Sequence, residues 1–290
     1  MTVPANRPVT EETIGGLRAR LDEARSGGHR VGLVPTMGFL HAGHRSLIEH
    51  ARSENDLVVV SIFVNPLQFN PGEDFDDYPR DLDHDLAVCA RAGADIVFTP
   101  GQDEMYPEPV ATTVRLGALA DVLCGASRPG HFDGVATVVA KLFAIVGECS
   151  AYFGEKDFQQ LTIVSRMAKD LSLPVSVVGC PTVREPDGLA LSSRNAYLSE
   201  AERAQAPVLR RALEAGEALV EAGETDRAVV EARMTSVISD APLATLDYAA
   251  AVSPTTLTRS QQPLQGDVRL LVAVRFGKAR LIDNLGCRTG

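Results

Sequence analysis

Five short runs rich in β-branched residues, VGLVPT, LVVVSIFVN, ADIVFTP, SAYFG and PVSVVGC, alternate with segments of helical spacing. The intervening helix candidates are HRSLIEHARSE, PRDLDHDLAVCARAG, GVATVVAKLFAIVGE and DFQQLTIVSRMAKDL. Such alternation predicts an α/β fold: a doubly wound, mostly parallel sheet with helices on both faces. In folds of this kind ligands bind beyond the carboxyl ends of the strands, where PTMGFLHAGH, FVNPLQF and FGEKDFQQ all fall. The expectation is three polar clusters converging on one crevice.

The pattern changes after about Arg184. EPDGLALSSRN is a polar loop, SEAERAQAPVLRRALEAGEALVEAG and DRAVVEARMTSVI read as two amphipathic helices, and the tail alternates as strands with a Gly-Lys turn. A length of 290 residues and 45% hydrophobic content suit one sizeable core plus a smaller one. The predicted domains are 1–182, the doubly wound sheet, and 183–290, a smaller α+β domain. With 28 basic against 38 acidic side chains the net charge is -10, which argues against a nucleic-acid partner. The five cysteines are scattered without a CxxC pair and read as buried thiols of a reducing cytoplasm. The N-terminus lacks a basic flank followed by an apolar stretch, and no apolar run is long enough for a bilayer, so no membrane partner is expected.

Two of only six histidines, His41 and His44, stand three residues apart where a strand hands over to a helix. A surface pair or capped helix start is the ordinary reading of H-x-x-H, but Gly38 and Gly43 around it permit close ligand approach. A helix N-terminus there suits phosphate. Neither GxxxxGK[ST] nor a GxGxxG after the first strand occurs, so imidazoles and the helix N-terminus must hold any phosphate bound here. Lys156, between Glu155 and Asp157, is by itself a solvated charged turn, yet it suits a polyphosphate as a point charge. Gln159 and Gln160 open the following helix, and an amide such as Gln160 suits a hydroxyl or carboxylate. Ser192, Ser193 and Arg194 form either a helix-cap turn or a loop that closes over phosphates. Asn65 and Gln68 lie at a strand end where an Asx turn is the plain alternative.

Together PTMGFLHAGH, SIFVNPLQF, the YPR before an acidic helix, RPGHFDGV, YFGEKDFQQ and PTVREPDGLALSSRN resemble the pantothenate synthetase family, the pantoate–β-alanine ligases. HAGH is similar to the HIGH signature of the nucleotidylyltransferase superfamily, and LSSRN to its KMSKS counterpart. The resemblance implies a Rossmann-like first domain, a second domain covering the active site, a cytoplasmic homodimer, and ATP as substrate with Mg2+. It also implies a two-step reaction, in which pantoate and ATP give pantoyl adenylate and pyrophosphate before β-alanine displaces AMP to form pantothenate.

By motif the resemblance gives His44 as principal catalytic residue with His41, Lys156 and Arg194 beside it. The implied ATP site holds Pro35, Met37, Gly38, Phe39, Leu40, His41, Ala42, Gly43 and His44, then Gly154, Glu155, Lys156 and Asp157, then Val183, Leu191, Ser192, Ser193 and Arg194. Gln68 and Gln160 hold pantoate, with Gln68 also near β-alanine. Leu191 stands where many relatives carry Met, and His84 occupies a position that is often acidic, so no magnesium ligand set is assigned beside Asp85. From the residues alone a histidine-liganded metallohydrolase and a non-catalytic nucleotide-binding module stay open as alternatives.

Overall fold

The computed structural model describes residues 7–73 and 75–290; the first six residues, read above for a leader, and Asp74 lie outside them. In chain order its elements are β1 (Val9–Glu11), α1 (Ile14–Ser26), β2 (Val31–Thr36), α2 (Ala42–Glu54), β3 (Leu57–Ile62), α3 (Leu82–Ala92), β4 (Ile96–Phe98) and α4 (Gln102–Met105). There follow α5 (Cys124–Ser127), α6 (His131–Val146), β5 (Cys149–Gly154), α7 (Phe158–Asp170), β6 (Val175–Cys180), α8 (Glu200–Gln205), α9 (Val208–Glu221) and α10 (Arg227–Ser239). The last three strands are β7 (Thr245–Val252), β8 (Asp267–Phe276) and β9 (Ala279–Arg288). By internal contacts the chain divides into two units, the first holding residues up to Asp121, Gly125–Glu155 and Ile163–Pro181.

The sheet of the first unit has the order β1-β4-β3-β2-β5-β6, every pair parallel. From β2 the chain lays strands outward to β4, then returns to β5 beside β2 and proceeds the other way to β6. The reversal between β2 and β5 is the switch point at which such sheets open a crevice beyond the strand ends. Val58, Val59 and Val60 are all fully buried, as a central strand covered on both faces requires, which is why its sequence runs apolar without alternation. On one face Ile48 and Ala51 of α2 and Leu86 and Cys89 of α3 pack with Val34, Val60, Val97 and Tyr152. Each aliphatic side chain so buried contributes about 1.5–3 kcal/mol relative to exposure. Helix α6 packs against α1 and β2.

The second unit comprises Val122–Cys124, Lys156–Thr162 and Thr182–Gly290. Its antiparallel sheet has the order β7-β8-β9, with β8 and β9 joined at Gly277 (φ 51°) and Lys278. Leu209, Leu213 and Val220 of α9 and Val230, Met234 and Ile238 of α10 form its core with Leu270, Val272 and Val274 of β8. The stretch read as one helix over 199–223 is two, α8 and α9, parted at Ala206 and Pro207, because a proline cannot donate the bond that would continue the first helix. The edge strand β1 and helix α1 were not foreseen: three residues carry too little period, and Gly15 and Gly16 obscure the helix start.

Candidate active site

Beyond β2 the chain turns through Gly38 (φ 86°) and Phe39 (φ 51°) before entering α2. A Cβ on Gly38 would stand 3.0 Å from both Asp85 Oδ2 and Ile62 Cγ2, so conformation and space both call for glycine. The loop is held from α3. Phe39 N–H donates to Asp85 Oδ2 at 2.8 Å, Leu40 N–H donates to Asp85 Oδ1 at 2.6 Å, and His84 Nε2 meets the Leu40 carbonyl at 3.1 Å. Asp85 is only 2% exposed, and burial pushes its carboxyl above the ordinary range against the two backbone bonds that favour its charged form. The position read as a possible metal neighbour is thus a loop anchor.

His41 caps α2. Its Nδ1 accepts from Gly43 N–H at 3.1 Å, and His44 Nδ1 accepts from His41 N–H at 3.3 Å, a reciprocal capping box. The ring centroids are 4.1 Å apart. With both Nδ1 atoms accepting, the tautomer follows: in each neutral ring Nε2 carries the hydrogen and is the donor. Capped helix start and ligand site are therefore compatible readings of one geometry.

After β3, at the neighbouring strand end, Asn65 Oδ1 accepts from Leu67 N–H at 3.4 Å in the Asx-type turn and from Tyr106 O–H at 2.9 Å. Its Nδ2 donates to Gln68 Oε1 at 3.2 Å and to the Gly134 carbonyl at 3.1 Å. Gly134 lets α6 press onto this turn, since a Cβ there would lie 2.1 Å from the Leu67 carbonyl oxygen. Gln68 is 8% exposed, with Nε2 3.0 Å from Met37 Sδ. Behind it His131 Nδ1 meets the Gln68 carbonyl at 2.7 Å, and Arg128 pairs with both oxygens of Glu73 at 2.7 and 2.6 Å. Burial opposes the charge on Glu73, but the Arg128 guanidinium outweighs it and holds that carboxyl down to about 2. Pro35 lies near the end of β2, and Gly154 and Glu155 leave β5, the third adjacent strand.

In the second unit Lys156 is 18% exposed in its side chain and lies 3.5 Å from Asp157. Gln159 works inside the fold, accepting from Cys124 N–H at 3.0 Å and donating to the Val122 carbonyl at 2.8 Å, while Gln160 beside it is half-buried. Val183 and Leu191 close a small hairpin, Leu191 N–H donating to the Val183 carbonyl at 3.0 Å with Arg184 bridged to Ala190. Ser192 Oγ then caps the turn of Ser193–Tyr197 by accepting from Arg194 N–H at 3.3 Å. All four residues from Leu191 to Arg194 are half-buried.

Among the described residues no group of three or more His, Cys, Asp or Glu side chains is placed to hold a metal. With both Asp85 oxygens accepting backbone N–H groups and both histidine Nδ1 atoms acting as caps, the donor set does not fit a resident metal centre.

A family model described as Pantoate-beta-alanine ligase matches residues 10–286. The chain belongs to this family. It is 50% identical to the pantothenate synthetase of Geobacillus kaustophilus over 277 residues, 96% of this chain and 92% of that one. The Rhizobium meliloti enzyme is 52% identical over 275 residues, 95% of this chain and 94% of that one. The crystal structure of pantothenate synthetase from Thermus thermophilus superposes with a TM-score of 0.89 at 53% identity, covering 96% and 98% of the two chains. The Francisella tularensis pantoate-beta-alanine ligase, complexed with beta-gamma ATP and β-alanine, gives 0.78 at 34% identity over 96% and 97%.

In this member of the pantoate–β-alanine ligases, several residues around the expected site went unread. Glu73 and the Arg128–His131 pair sit behind Gln68; RPGHFDGV was a visible motif for the last two but carried no role, and Asp85 was named only beside an unassigned magnesium site, not as the anchor of the histidine loop. Asp283 and Asn284, described below, had no signal, being two positions in an alternating strand.

Proposed function

We propose that this chain catalyses the ATP-dependent condensation of pantoate with β-alanine to pantothenate, AMP and pyrophosphate through pantoyl adenylate. Family membership, relatives named pantothenate synthetase and the ATP- and β-alanine-bound Francisella structure support the reading. The observation that carries it is the histidine pair beyond β2 at the sheet's switch point, with both rings oriented by their Nδ1 caps so that Nε2 is the donor.

In the first step a pantoate carboxylate oxygen attacks the α-phosphorus and the bond to pyrophosphate breaks. Charge builds on the α-phosphoryl oxygens, which the His44 and His41 Nε2–H groups stabilise. Lys156 and Arg194 neutralise the departing phosphates as point charge and guanidinium fork, while Ser192 and Ser193 offer hydroxyls and Leu191 an apolar contact for adenine. Gln68 and Gln160 orient pantoate for in-line attack through neutral amides. In the second step the β-alanine amine attacks the acyl carbon, loses a proton and releases AMP. No covalent protein intermediate is needed. Magnesium enters as MgATP, its ligands the phosphates. The protein is read as a cytoplasmic homodimer. Incubation with pantoate, β-alanine and MgATP should yield pantothenate, AMP and pyrophosphate in equal amounts; ATP hydrolysis to ADP, or no product, would refute the assignment.

A further inference from the structure

The two segments of the second unit read above as phosphate-facing are held by consecutive residues of one strand. Asp283, 2% exposed, receives Arg184 in a two-pronged pair at 2.6 and 2.9 Å, and the same Arg184 NH1 donates to the Gly188 carbonyl at 3.0 Å. That ties both arms of the hairpin from which Leu191–Arg194 emerges. Asn284, 4% exposed, donates through Nδ2 to the Lys156 carbonyl at 2.8 Å. Its Oδ1 accepts from Arg269 Nε at 2.8 Å, and the Arg269 guanidinium lies 4.0 Å over the Phe158 ring, two residues beyond Lys156. Asn284 N–H in turn donates to Asp283 Oδ1 at 2.8 Å, linking the two supports. Strand β9 pairs with β8 along its whole length, so both residues sit on a rigid element.

We propose that Asp283 and Asn284 are positioning residues for adenylation, one holding the Ser192–Arg194 loop through Arg184 and the other holding Lys156 through its carbonyl. The inference rests on the reading of Lys156 and Arg194 as phosphate ligands. Buried, fully bonded side chains at these positions fix where two flexible cations start, and a displacement of the order of 1 Å at a charged reactant contact can cost up to about a hundredfold.

The test uses pantoate-dependent exchange of labelled pyrophosphate into ATP by the full chain. Asn284→Asp keeps the acceptor for Arg269 but cannot donate to the Lys156 carbonyl; Arg184→Lys keeps a charge on Asp283 but loses the fork. Each should raise the ATP KM in exchange about tenfold and leave the pantoate KM unchanged. In a Lys156→Ala background, Asn284→Asp should add nothing, because its effect runs through the lysine. An additive loss in that background, an equal rise in the pantoate KM, or unaltered exchange would overturn the proposal. Should Asn284→Asp not fold, Asn284→Ala enters the same cycle. If Lys156→Ala itself leaves exchange intact, the lysine assignment fails and the positioning role falls with it; a strong Lys156→Ala defect beside a silent Asn284→Asp rejects the positioning role alone.

Discussion

The loop bearing the histidines and the loop bearing Ser192–Arg194 are built in opposite ways. The first is anchored at long range: Asp85 and His84 reach it from 45 and 44 residues away, and Thr36 Oγ1 joins the Ser61 carbonyl to Gly38 N–H. The second has a firm base in Arg184 and Asp283, and toward its apex Arg194 N–H donates to Ser192 Oγ two residues away and Asn195 Nδ2 to the Ala190 carbonyl five away, bonds of short sequence range. Distant anchors yield preorganised donors that need no rearrangement as charge develops. Local anchors leave a segment that opens at small cost and gains order from a ligand.

The sharpest way to break this contrast is at His44. Replacement by alanine should lower kcat about a hundredfold, ~3 kcal/mol, while circular dichroism stays native, since a preorganised donor acts on the transition state. A fall confined to the ATP KM would instead make the histidine loop a binding arm like the other. Next in size, Gln160→Ala should raise the pantoate KM about tenfold with little change for ATP, because an amide bonded to a carboxylate contributes about 1.4 kcal/mol. Parallel changes in both constants would remove Gln160 from the acid site.

A smaller effect concerns the charged support behind Gln68. The folded-state carboxyl of Glu73 is held down to about 2 from 4.5, so its contribution is complete above the unfolded value and is lost as pH falls toward 2. The difference in thermal midpoint between the parent and Glu73→Gln should therefore shrink on acidification below pH about 4.5. A pH-independent difference would show that Arg128 does not stabilise that charge. The least effect is expected at the second loop: saturating MgATP should slow limited proteolysis at Ser192–Arg194 and leave cleavage near His41 unaltered. Equal protection at both, or at neither, would end the distinction between a preformed and a ligand-ordered segment.

Much of this was legible because it rests on local pattern. Buried parallel strands write themselves as apolar runs, and Gly38, His41 and His44 mark a strand-to-helix junction by residue type alone. The sequence was silent where a side chain's task is set by a distant partner. Asp85 reads as one more acid of an acidic helix, and nothing in DLDHDLA says that both its oxygens accept N–H groups from a loop on another strand. Gln159 and Gln160 are indistinguishable in sequence, yet the fold uses the first for the Val122–Cys124 segment. Asp283 and Asn284 look like polar positions of an edge strand while each is nearly fully buried against an arginine.

The central claim is that adenylation precedes amine entry and is carried by groups of both loops. It is tested most directly by labelled pyrophosphate exchange into ATP with pantoate present and β-alanine absent. The account predicts exchange that requires pantoate and is suppressed in Lys156→Ala as strongly as overall pantothenate formation, since the lysine charge serves the phosphates and not the amine step. Robust pantothenate synthesis with no exchange in the absence of β-alanine would contradict the two-step order.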